Sequence, residues 1–137
     1  MNQTPRFNFE DAKEAAKLFV LYEQIIEDRG SRYSVSIGKV SGRDDIKAFL
    51  KQLKTKKKYA KADHNSWAAR ISHEGVLYET KSDDGETGAG MVILRVMQKE
   101  QVQNTVICVT RWFGGVKLMN DRFKHIQDAT KYVIERM

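Results

Sequence analysis

Neighbouring segments of this chain carry their apolar residues at different periods, and that alternation points to a sheet covered by helices. Between Arg32 and Val40, the residues Tyr33, Val35 and Ile37 fall on one side, with Ser34, Ser36 and Gly38 between them. That is the period of a strand with one buried face. Shortly after, Ile46, Phe49, Leu50 and Leu53 follow the i, i+3, i+4, i+7 rule. They predict a helix from about Gly42 to Lys56, opened by a capping-box-like Ser41 and Asp44. Upstream, Phe9, Ala12, Ala16, Phe19 and Ile26 recur at helical spacing behind Asn8 as a cap and Asp11 near the positive end, so a helix is expected from Phe9 to about Asp28, ended by Gly30.

The remaining segments extend the pattern. Trp67–Ser72 and Val76–Thr80 flank His73-Glu74-Gly75 and read as a hairpin with Gly75 in the turn. MVILRVMQKE follows an acidic, glycine-bearing run and is expected to be helical. Gln103 to Thr110, centred on TVICVT, is an apolar strand covered on both faces or central in the sheet. The loop RWFGGVKLMN then leads to a last helix, Asp121 to Glu135, capped by Asn120 and buried through Phe123, Ile126, Ala129 and Val133. The order α, β, α, β, β, α, β, α fits an α+β domain with a four-stranded sheet and helices packed on it.

At 137 residues, with 41% hydrophobic and 31% charged side chains, the chain is one domain with enough apolar residues for a core. No window approaches the roughly 18 apolar residues of a membrane span, and MNQTPRFNFED has no apolar signal-peptide core, so a cytoplasmic, monomeric protein without a membrane partner is expected. Cys108 is the single cysteine and there are three histidines, so neither an internal disulfide nor a common zinc pattern can form, and no metal or cofactor is expected. The net charge of +6 is concentrated, since residues 39 to 61 hold nine basic and two acidic side chains. Lys47, Lys51, Lys54 and Lys58 would share one helical face. They read either as a solvated helix end or as a surface for RNA phosphates or an acidic protein.

Two segments have compositions that a core does not require. In Ser82-Asp83-Asp84-Gly85-Glu86-Thr87-Gly88 three carboxylates crowd together. Such a cluster caps the following helix, holds a Mg²⁺, or receives a basic partner. Arg111-Trp112-Phe113-Gly114-Gly115 follows a buried strand, and its glycines could turn tightly and offer N–H groups to an anion. It is not a P-loop, because Val116 separates Gly115 from Lys117. Arg111 could pair with the acidic loop, which should lie at the same sheet end. Trp112 and Phe113 could be core or partner-facing. No G-x-S-x-G elbow is present, Cys108 sits mid-strand, and His64, His73 and His125 are scattered, so no catalytic set can be assigned.

Asp83-Asp84-Gly85-Glu86-Thr87, Arg111-Trp112-Phe113-Gly114-Gly115 and Asp121-Arg122-Phe123-Lys124-His125-Ile126, with Ser31-Arg32-Tyr33 and His64-Asn65-Ser66-Trp67-Ala68 upstream, resemble the signature of the Impact family, and most closely its eukaryotic branch. The resemblance covers about residues 31 to 136. It implies a fold like the second domain of ribosomal protein S5 and a non-enzymatic role in translation and stress control through a protein partner. That partner would be the co-activator of the starvation-sensing kinase that phosphorylates initiation factor two. Family members carry an N-terminal RWD domain. Here about 30 residues precede the match and read as one helix, so a helical extension over 1–30, an Impact-type domain over 31–137 and no RWD domain are expected. Binding candidates are Asp83, Asp84, Gly85 and Glu86 on one loop and Arg111, Trp112, Phe113, Gly114 and Gly115 on the other. His64 and Lys117 join them, the latter in Lys117-Leu118-Met119-Asn120, where the family usually has apolar residues and a glycine. An RNA- or ribosome-binding module and an enzyme using the acidic loop are the alternatives.

Overall fold

The computed structural model describes residues 19–137. Its elements are β1 (Val20–Asp28), β2 (Ser31–Lys39), α1 (Arg43–Lys54), α2 (Lys57–Ala60), β3 (His64–His73), β4 (Val76–Ser82), α3 (Ala89–Lys99), β5 (Thr105–Trp112) and α4 (Asp121–Ile134). The strands form one antiparallel sheet in the order β1-β2-β5-β3-β4. No helix among the described residues is long and apolar enough to cross a membrane.

β5 holds the centre because its residues suit burial on both sides. Every residue from Thr105 to Arg111 is buried. Ile107 and Val109 face one layer, where they meet Val35, Ile93, Met97 and Ile126. Val106 and Cys108 face the other, against Ile46, Phe49, Leu53 and Tyr59. The period of two thus divides the core between α3 and α4 on one face and α1 and α2 on the other. Each fully buried Leu, Ile or Phe contributes about 1.5–3 kcal/mol.

The sheet has five strands where four were expected, because Val20–Asp28 is strand β1 rather than the end of a helix. The rest of that expected helix, Phe9 to Leu18, lies outside the described residues. Two local features favour the strand. Arg29 (φ 47°) and Gly30 (φ 87°) form a tight hairpin turn into β2. A bulge between Tyr22 and Ile26 then lets both pair with β2, opposite Val35 and Tyr33, with Gln24 in the left-handed region and its N–H donating to Ser34 Oγ at 2.8 Å. The bulge absorbs two extra residues, which made the apolar spacing look helical.

Other expectations need smaller corrections. Asp45, not Asp44, reaches back to Ser41, accepting from its N–H and hydroxyl at 2.7 and 2.8 Å, and no side chain caps the first amides of α1. Asn120 makes no side-chain cap on α4; the N–H groups of Asp121, Arg122 and Phe123 instead close turns onto Leu118, Met119 and Asn120 carbonyls. α1 ends at Lys54, so Lys47, Lys51 and Lys54 form an exposed row while Lys58 belongs to α2. The β3–β4 hairpin turns at Glu74 (φ 50°) and Gly75 (φ 77°), and MVILRVMQK is helical, both as expected.

The loop after β5 is pinned to the β1–β2 turn by a close backbone approach. A Cβ on Gly114 would lie 2.0 Å from the carbonyl carbon of Gly30 and 2.4 Å from the Ser31 nitrogen. Gly115 has φ +91° and open space around its Cβ position. Gly114→Ala should therefore cost about 3 kcal/mol through forced backbone movement, whereas Gly115→Ala should cost about 1 kcal/mol through left-handed strain alone. Urea unfolding of the two variants measures the difference, and equal losses would rule out the close approach as the decisive contact.

Candidate functional site

Strand register assembles the base of the site. Arg111 on β5 lies directly opposite Tyr33 on β2 and His64 on β3, so the three share one face at one end of the sheet. Arg111 is only 5% exposed. Its Nη1 donates to the Glu86 carboxylate and its Nη2 to Ser31 Oγ at 3.3 Å. The guanidinium carbon lies 5.5 Å from the Tyr33 ring centroid and 5.7 Å from that of Phe113. Glu86 is equally buried and has a second cation nearby, Arg122 Nη1 at 3.8 Å. Arg111 and the acidic loop therefore meet, as their shared sheet end suggested.

The other two carboxylates of the loop shape its backbone. Asp83 accepts the N–H groups of Gly88 at 3.0 Å and Gly90 at 2.8 Å, capping the start of α3. These amides, that of Gly88 foremost, hold its carboxyl below the usual carboxylate range. Asp84 accepts the Asn65 N–H at 2.7 Å, and its carbonyl lies 2.9 Å from His64 Nδ1. A carbonyl can only accept, so Nδ1 carries the proton in this bond. Left-handed backbone at Asp84 (φ 48°) and Gly85 (φ 86°) turns the loop so that Glu86 faces inward. Among the described residues no three acidic, His or Cys side chains converge as a metal site would require.

Above this base lies a cleft of about 350 Å³. Six residues singled out from the sequence line it: His64, Gly85, Glu86, Arg111, Phe113 and Lys117. The structure adds Thr87, Leu118, Met119 and Arg122. Three cationic side chains thus border it against one carboxylate, and that carboxylate is already paired. A loop of three acidic residues accordingly underlies a cleft with a cationic rim. Arg122 lay within the Asp121–Ile126 run and could have been found by its charge. Met119, 70% exposed at φ 55°, had no sequence signal.

Several candidates stand apart from the cleft. Trp112 follows Arg111 and so faces the other layer, with its ring 4.9 Å from that of Tyr59, its indole N–H donating to the Lys58 carbonyl at 3.1 Å, and Lys58 Nζ 5.1 Å from its centroid. The glycine loop's amides are not all free for an anion: Phe113 N–H donates to Asp63 at 2.7 Å and Gly114 N–H to Ser31 Oγ at 3.2 Å. Lys47, Lys51 and Lys54 belong to α1, the layer opposite Arg111. Cys108 is buried, and burial pushes its thiol up to about 12, leaving it inert as a nucleophile.

A five-stranded antiparallel sheet layered with helices on both sides, carrying a cationic cleft at one end, defines a small α+β domain. The sequence profile of the Impact N-terminal domain matches residues 29–134, and the chain belongs to the Impact family. The Saccharomyces cerevisiae "Protein IMPACT homolog" is 38% identical over 113 residues, covering 81% of this chain and 44% of that protein. The solved structure of the two-domain translational regulator Yih1 superposes with a TM-score of 0.60 at 34% identity, covering 99% of this chain and 51% of that one. The crystal structure of a hypothetical protein superposes with a TM-score of 0.72 at 21% identity, over 86% of this chain and 56% of that one, a likeness of fold alone. The chain spans about half or less of the length of the relatives it matches.

The cap at Asp83 gives a pH-dependent expectation. Asp83→Ala should cost about 1–2 kcal/mol at neutral pH. Because the folded-state pKa is lowered, the carboxylate stabilises the fold fully above its unfolded value, near 3.9, and loses that effect as pH falls through the folded value. The gap between wild-type and variant unfolding free energies should hold from pH 7 to about pH 5 and narrow below about pH 4. A gap unchanged down to pH 2 would contradict an ionised cap.

Proposed function

We propose that this domain is a non-enzymatic regulator in translation control that works by holding a protein partner at the cleft. The observation that carries this reading is the loop from Phe113 to Met119. It borders the cationic cleft with two exposed apolar side chains, Phe113 at 47% exposure and Met119 at 70%, and carries a third, Val116, between them in sequence. Exposed aromatic and Met side chains beside Arg are the composition of a recognition patch rather than of a solvated loop. The names of its relatives, Protein IMPACT homolog and translational regulator Yih1, support the setting. In its specific form, the domain restrains the starvation-sensing initiation factor two kinase by occupying the kinase's co-activator. The enzymatic alternative is disfavoured because Asp83, Asp84 and Glu86 are all engaged in internal bonds and Cys108 is sealed in the core.

A second reading, contact with RNA or the ribosome, draws on the exposed Lys47, Lys51 and Lys54, which form no ion pair among the described residues, and on the S5-like fold that the family resemblance implies. Pulldown from cell extract with and without nuclease separates the two. Proteins captured by the chain should survive nuclease, and Phe113→Ala should lower their capture at least about tenfold while circular dichroism stays unchanged. Replacing Lys47, Lys51 and Lys54 by Gln should leave capture intact. Capture abolished by nuclease, or by the lysine changes alone, would transfer the function to polyanion binding.

A further inference from the structure

Arg122 is held in place with most of its hydrogen-bonding capacity unspent among the described residues. Its Nη1 donates to the Thr87 carbonyl at 3.0 Å, and its guanidinium carbon stacks 4.2 Å from the Phe123 ring centroid. The Nε and Nη2 groups make no hydrogen bond among the described residues, although the side chain is only 26% exposed. The Nε–Nη2 edge is the fork that matches a carboxylate with two parallel hydrogen bonds. Lys117, exposed on the same cleft, adds a second positive charge. Neither residue is required by the core, and both line the cleft.

From this geometry, and resting on the protein-binding reading above, we propose that the cleft receives an acidic segment of the partner. One Asp or Glu carboxylate pairs with the free edge of Arg122 and with Lys117, and a neighbouring apolar side chain covers Phe113 and Met119. Two observations favour this occupant over a phosphate or a nucleic acid. Glu86 lies in the cleft, 3.8 Å from Arg122, so an incoming phosphate of nearly two negative charges meets more repulsion than a singly charged carboxylate does. The lysine row lies on the layer opposite Arg111, away from the cleft, while exposed apolar side chains border the cleft itself. The first-turn amides of α4 are closed onto local carbonyls, so recognition falls on side chains.

The test begins with a random library of twelve-residue peptides displayed and selected on the immobilised 137-residue chain. Selected sequences are remade with a fluorescein label for anisotropy titration. Enrichment of Asp or Glu next to Leu, Ile, Phe or Met supports the proposal. Arg122→Gln, and Glu→Gln in the peptide, should each weaken binding about 10- to 100-fold, and the two changes together should cost little more than one alone. Lys117→Glu, at an exposed position, should weaken binding about tenfold without altering the thermal melt, and it decides the matter if Arg122→Gln fails to fold. The triple Lys-to-Gln variant of α1 should bind as wild type. Peptides without acidic residues, additive losses, displacement by millimolar inorganic phosphate, or loss confined to the α1 variant would each overturn the proposal. Failure to select any peptide while nuclease-resistant capture from extract persists overturns this proposal and leaves the protein-binding reading standing; nuclease-sensitive capture overturns that reading instead.

Discussion

The buried ion pair of Arg111 and Glu86 organises the functional end of the molecule. Both side chains are almost fully withdrawn from water, at 6% and 3% exposure, and removing either alone would strand a charge at a cost of about 3–5 kcal/mol. An apolar pair of the same volume would avoid the desolvation, so the contribution of these charges is positional rather than a gain in stability. Arg111 draws in Ser31 from β2, and Glu86 brings the acidic loop and α4's Arg122 to the same point. Ser31 in turn accepts from Gly114, fixing the loop that carries the exposed apolar residues.

Much of this was legible in the sequence wherever a single period dominated. β2, β5, α3, α4 and the β3–β4 hairpin formed where alternation or helical spacing placed them, because each has one or two faces that must be buried. β1 was not legible. Phe19 and Ile26 stand seven residues apart, a helical interval, yet Ile26 pairs with Tyr33 across the bulged edge strand and packs in one layer while Phe19, just ahead of the strand, packs in the other. The site was legible in its residue types and not in their roles. Nothing in three adjacent acidic residues says which will cap a helix, which will take a backbone amide and which will turn inward to an arginine. That assignment depends on the left-handed turn at Asp84 and Gly85, and it converts an apparently anionic loop into the support of a cationic cleft.

Adjacent residues of β5 serve opposite layers. Arg111 belongs to the cleft with α4, while Trp112 belongs to the side of Tyr59 and Lys58. The motif that reads as one unit in sequence is thus divided between two surfaces. One is a recess with a cationic rim, and the other lies on the layer that also carries the open lysine row of α1.

The position of β5 at the middle of the sheet has a consequence for how the chain comes together. β1 pairs only with β2 on one side, and β4 only with β3 on the other, so both hairpins are local and can form early. They have no contact through the ladder until Thr105–Trp112 inserts between them and supplies hydrogen bonds to both. During synthesis the last strand to emerge is the one that joins the halves. Until then the inner edges of β2 and β3 stay unpaired and open to the wrong neighbours. The contact between Arg111 and Ser31, separated by 80 residues, can close only at that final step. The recess is accordingly among the last features of the fold to exist, and a nascent or truncated chain that lacks β5 cannot form it.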